Sequence, residues 1–150
     1  MTTKADYTDD EWTAIRIAPL SAGMIVVTAQ GGGTLRETYS MAKAYAEARE
    51  QHGASELLDA IVSERPERDH HRYHSIDELR QGGLERVREA VAVLEAKATP
   101  AELGDYRAFV TGLATKVAEA HREDDAQDPV GDGEREAIGE IRAALGAPAG

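Results

Sequence analysis

Residues 24–50 read MIVVTAQGGGTLRETYSMAKAYAEARE, and the fold turns on how that stretch is taken. An apolar segment runs into Gly31-Gly32-Gly33, and Thr34 with Glu37 then supplies a capping box for a following helix. The β-branched run Ile25-Val26-Val27-Thr28 would also suit a strand leading through a glycine turn into a helix. No second stretch of comparable strand character exists for it to pair with, and an isolated strand leaves its backbone groups unmatched. Residues 24–29 are therefore read as the end of a buried helix that the glycines stop.

Upstream, Thr8-Asp9-Asp10-Glu11 is a second helix start signal, with its acidic residues at the positive end of the helix dipole. Trp12, Ile15 and Ile17 are expected to turn inward. Pro19 is expected to break or kink the helix, with Leu20, Met24, Ile25 and Val27 continuing its buried face. Downstream of the glycines, Leu35, Tyr39, Ala42 and Ala46 predict an apolar stripe, and Gly53 an end to that helix. A short helix is expected over Glu56–Ser63. Residues 64–74, with one proline, alternating charge and no stripe, form the clearest linker. Ser75 and Glu78 then cap a helix carrying Ile76, Leu79, Leu84, Val87, Val91 and Leu94. Gly82-Gly83 inside that pattern points to a kink or a close packing contact. Thr99-Pro100-Ala101-Glu102 opens a long helix with Leu103, Tyr106, Val110, Leu113 and Val117, and the last helix shows Ile138, Ile141 and Leu145 before Gly146.

The result is an all-α chain, a bundle of six or seven helices forming a single domain over 1–150. Its N-terminal half is 8–63, its linker 64–74 and its C-terminal half 75–146. A loose echo between the stretch around the three glycines and the C-terminal stretch also suits two pseudo-repeated helix–turn–helix halves. Aromatics make up only 5% of the chain, so the core must be built mainly from Ala, Val, Leu and Ile. The net charge of −11 argues against nucleic acid and favours cations or basic protein partners. No apolar run approaches the length of a membrane span, so membrane insertion is not expected. The absence of cysteine excludes thiol chemistry and disulfides, and a polar acidic start without a signal-peptide core fits a bacterial-type cytoplasmic protein.

The C-terminal stretch GDGEREAIGEIRAALG resembles the helix–turn–helix element of the tellurite-resistance TerB-like proteins. The resemblance is carried by Asp132, Gly133, Glu136, Ile138, Ile141, Leu145 and Gly146. It is clearest over the last 40 or so residues and fainter over 24–48. The first half has Gln30-Gly31 where that pattern would place Asp-Gly, and the loop from Glu123 to Pro129 is longer than the pattern's. The resemblance implies an all-helical fold, acidic surface clusters and a stress-associated, non-enzymatic role.

Two groups of residues could hold a metal. Asp124, Asp125, Asp128, Asp132 and Glu136 lie in or beside an acidic loop, and hard divalent cations take carboxylate oxygens from such loops. An EF-hand frame begun at Asp128 fails, because Val130 and Gly139 fall where side-chain oxygens are needed. His70, His71 and His74 offer a transition-metal cluster, since His70 and His74 would stand one turn apart on a helix. The alternative for His70, His71 and His74 is an exposed polar linker, and for the acidic loop a solvated surface. The glycines at 31–33 lack both the Walker lysine and GxGxxG spacing, and Glu-x-x-His occurs once, at Glu67 and His70. No catalytic residue is therefore assigned and no cofactor beyond a divalent cation is expected. The function expected is a non-enzymatic acidic binding or scaffold protein, with a protein partner or self-association and a stress or metal response as its setting. The alternatives are a transition-metal-binding protein using the histidines, and a small enzyme with an interhelical pocket using Tyr39, Tyr45 or His121.

Overall fold

The computed structural model describes residues 3–29, 35–50, 56–64, 73–124 and 132–146. A short 3-10 turn, Lys4–Asp6, is followed by six α-helices: α1 Asp9–Ala29, α2 Leu35–Glu50, α3 Glu56–Ser63, α4 Ile76–Lys97, α5 Pro100–Asp124 and α6 Asp132–Leu145. No strand occurs among the described residues, and residues 24–29 are helix. The three glycines, Thr34 and Gly53 lie outside the described residues.

The start signals work as reciprocal caps. Thr8 Oγ1 accepts from the Glu11 amide at 3.1 Å while the Thr8 amide donates to Glu11 Oε1 at 2.9 Å. Thr99 and Glu102 repeat this at 3.2 and 2.9 Å. At α4 the box is shifted by one residue. Ser75 Oγ accepts from the Glu78 amide at 3.1 Å, but the Glu78 carboxylate reaches back to the His74 amide at 2.6 Å. Each arrangement satisfies amides that the first helical turn leaves without a backbone acceptor. At the other end of the chain, Gly146 closes α6 in the left-handed region, φ 72°, its amide donating to Ala143 O at 3.1 Å.

α1 runs through Pro19 without the break its proline suggests. It is the central helix, packing along α4 and α5 and touching α6 and α2, while α2 packs mainly along α5. Small residues allow the close approach. A Cβ at Gly83 of α4 would stand 2.8 Å from Ile25 Cδ1, and one at Gly23 of α1 would stand 2.5 Å from Met41 Sδ and 2.9 Å from Leu113 Cδ2. The Gly82-Gly83 pair is thus a packing contact, with the Tyr73 ring seated over Gly82. The halves interleave asymmetrically: α1 packs along α5, and among the described residues α4 has no contact of similar extent with α2.

The core holds Ile15, Ala18, Ala22, Ile25 and Val26 of α1, Val87, Ala90, Val91 and Leu94 of α4, and Tyr106, Val110, Leu113 and Val117 of α5. Four expected inward positions turn out otherwise. Met24 and Ile76 are 37% and 60% exposed. In α2 the buried stripe is Met41, Ala44 and Tyr45, with Ala42 and Ala46 exposed. The bulkier side chains win the inward register, because burying Met and Tyr removes more apolar surface from water than burying alanine does. Tyr45 then meets Phe109 edge-on, ring centroids 5.2 Å apart. Around the outside, Lys116 pairs with Glu47, tying α5 to α2, and Arg80 forks onto Glu140, tying α4 to α6.

Candidate functional site

The polar groups that enter the bundle define what chemistry it can host. Tyr106 is wholly buried in the second turn of α5, and its hydroxyl donates to the carbonyl of Ile15 at 2.7 Å. In a continuous helix that carbonyl would accept from the amide of residue 19, but Pro19 has none. Tyr106 therefore fills the acceptor that the proline leaves open. Burial, with a smaller contribution from nearby Tyr45, raises the Tyr106 phenol well above its ordinary range. A phenol held neutral and engaged in this way is a donor to the backbone and a poor base. Glu102, 3% exposed, is spent on the Thr99 cap. Tyr45, a candidate for an interhelical pocket, packs against Phe109; the side chains of Tyr39 and His121 lie outside the described residues.

The densest polar cluster among the described side chains gathers on Glu64, just past α3. One carboxylate oxygen accepts from Lys4 Nζ at 2.6 Å; the other accepts from Trp12 Nε1 at 2.9 Å and is ion-paired with the Arg16 guanidinium, Nε at 2.9 Å. The Lys4 bond, then the Trp12 bond and the Arg16 charge, hold this carboxyl below its ordinary value despite partial burial. A related clasp joins the ends of α4 and α1. Lys97 Nζ meets Glu11 Oε1 at 2.5 Å and the Asp6 carbonyl at 3.1 Å, and it sits 5.7 Å from the Tyr7 ring centre. Lys97, then the Thr8 amide, lowers the Glu11 carboxyl. In sequence Glu64 reads as the first residue of a linker, and nothing local marks it. Its partners come from positions 4, 12 and 16, which only the fold brings near.

Of the expected metal ligands, only Glu136 and His74 have side chains among those described. Glu136 is exposed on α6, 3.4 Å from Arg80, which also holds Glu140; these two carboxylates raise the Arg80 guanidinium above its ordinary value, Glu140 foremost. Asp132 and Asp124 lie at the ends of α6 and α5, their side chains outside the description, and Asp125 and Asp128 fall outside the described residues. His74 is exposed at the entry to α4, its amide held by Glu78, while His70 and His71 fall outside the described residues. Among the described residues no three His, Asp or Glu side chains converge as a metal site would require. Likewise, no helix among them is long and apolar enough to cross a membrane. No family model, curated protein or solved structure matches the chain.

Proposed function

We propose that this chain is a non-enzymatic, acidic helical binding or scaffold protein that engages a protein partner or a second copy of itself. The observation that supports it is where the interior polar groups go. Tyr106 serves the Ile15 carbonyl and Glu102 serves a helix start, so these two buried oxygens hold backbone in place. The remaining polar chemistry lies on a surface whose net charge of −11 favours a basic partner through long-range attraction. The resemblance of residues 131–146 to the TerB-like element adds a stress-associated setting to the proposal.

Crosslinking of the full-length chain at low ionic strength, read by mass spectrometry and light scattering, tests this. A binding role predicts a defined complex, with a partner or with itself, that weakens as salt rises and survives Tyr45→Phe. Turnover of a substrate that is lost in Tyr45→Phe would contradict it. A melting shift with nickel or zinc that disappears in His74→Ala, or with calcium that disappears in Asp132→Ala, would replace it with a metal-handling role.

A further inference from the structure

Residues 3–7 lie against the bundle on charge and one aromatic ring. Of the five, only Tyr7 is buried; Thr3, Lys4, Ala5 and Asp6 are exposed. Lys4 reaches Glu64 beyond α3, and Lys97 at the end of α4 holds the Asp6 carbonyl from the other side. Between the two clasps, the Tyr7 ring leans on the Trp12 indole, centroids 5.8 Å apart and planes at 41°. The strap has its own local order, since the Thr3 amide donates to Asp6 Oδ2 at 2.7 Å and the Tyr7 amide to Lys4 O at 3.2 Å. It can therefore move as one piece.

We propose that residues 3–7 are a releasable strap, which opens as a unit while the six helices stay folded and so bares the Trp12 indole beside the carboxylate of Glu64. Two features favour separate release. The strap contributes one side chain to the core, whereas each of α1, α4 and α5 contributes a full stripe, and segments with few buried apolar contacts open well below the global unfolding threshold. Its ion pair to the bundle, Lys4–Glu64, sits at the surface, where salt screens it, while the apolar contacts inside the bundle are not weakened in that way. The bared face would present an aromatic ring beside the carboxylate oxygen that Lys4 leaves, which suits a cation-bearing segment such as the strap's own Lys4 and Tyr7. Use of that face by a partner rests on the binding role proposed above; the opening itself does not.

Trp12 is the sole tryptophan of the 150 residues, so the chain reports on its own strap. Trp12 emission and acrylamide quenching are followed from about 0.1 M to about 1 M sodium chloride, over which the screening length falls from about 10 Å to about 3 Å. Far-UV circular dichroism is recorded on the same samples. The strap predicts a red shift and stronger quenching as salt rises, with the helical signal unchanged. Lys4→Ala should show the same shift already at low salt, and Lys4→Arg should behave as the parent chain. Emission that is insensitive to salt and to Lys4→Ala, or that changes only when the helical signal collapses, would overturn the proposal.

Discussion

The hydroxyl of Tyr106 stands 2.7 Å from the carbonyl of Ile15, four residues before Pro19. A proline inside a helix removes the amide that would serve that carbonyl, and its ring crowds the preceding turn. Here α5 supplies the missing donor from across the core, and α1 continues unbroken to Ala29. The same bond explains why a phenol can be wholly buried without penalty. Each partner satisfies the other in a place where neither could reach water.

The reciprocal caps should carry measurable stability. Thr99→Ala removes the oxygen that accepts the Glu102 amide and releases the Glu102 carboxylate from its role. A loss of about 0.5–2 kcal/mol is expected, by urea denaturation with an unchanged slope. Thr8→Ala at the start of α1 should fall in the same range.

The glycines should divide into two classes. Gly23→Ala sets a Cβ 2.5 Å from Met41 Sδ and 2.9 Å from Leu113 Cδ2, and should destabilise by about 1–3 kcal/mol through overpacking. Gly112→Ala and Gly139→Ala meet nothing within 4 Å inside helices, and should each stabilise by about 0.5–1 kcal/mol. Thermal melts of the three variants decide it by the sign of the shift.

Acid should loosen the corner around Trp12. Glu64 and Glu11 are both held below the ordinary carboxyl value of 4.5, chiefly by Lys4 and Lys97. A carboxyl whose folded-state value is depressed binds its proton more readily in the unfolded chain. Its contribution is therefore complete above that ordinary value and is lost as pH falls through the depressed one. Denaturant melts from about pH 7 to about pH 3 should show stability falling on the acid side, and Glu64→Gln should make that fall shallower.

Much of the helical order was legible in the residues. The Thr8 and Thr99 boxes act as their spacing predicts, the short helix Glu56–Ser63 has the expected bounds, and the α5 stripe of Leu103, Tyr106, Val110, Leu113 and Val117 is buried throughout. Legibility fails where rotation about a helix axis depends on a neighbour. In α2 the spacing marks Leu35, Tyr39, Ala42 and Ala46, whereas the residues buried are Met41, Ala44 and Tyr45, with Tyr45 fitted against Phe109 of α5. Met24 and Ile76 are apolar and helical, yet exposed, because periodicity places a residue on a face without saying what covers that face. The unbroken course of α1 depends on a tyrosine ninety-one residues away in sequence from Ile15. Glu64 was illegible for the same reason, since its three partners are distant in the chain.

The central claim is that the Tyr106 hydroxyl and the Glu102 carboxylate, inside this bundle, serve the backbone and leave function to the surface. A double-mutant cycle of Tyr106→Phe and Pro19→Ala tests it most directly. Alone, Tyr106→Phe strands the buried Ile15 carbonyl and should cost about 1–3 kcal/mol, with the melting temperature falling about 2–4 °C per kcal/mol. In the Pro19→Ala background the restored amide serves that carbonyl, and the same change should cost markedly less. An equal cost in both backgrounds would contradict the account, because Tyr106 would then be held in the core for something other than the acceptor that Pro19 leaves open.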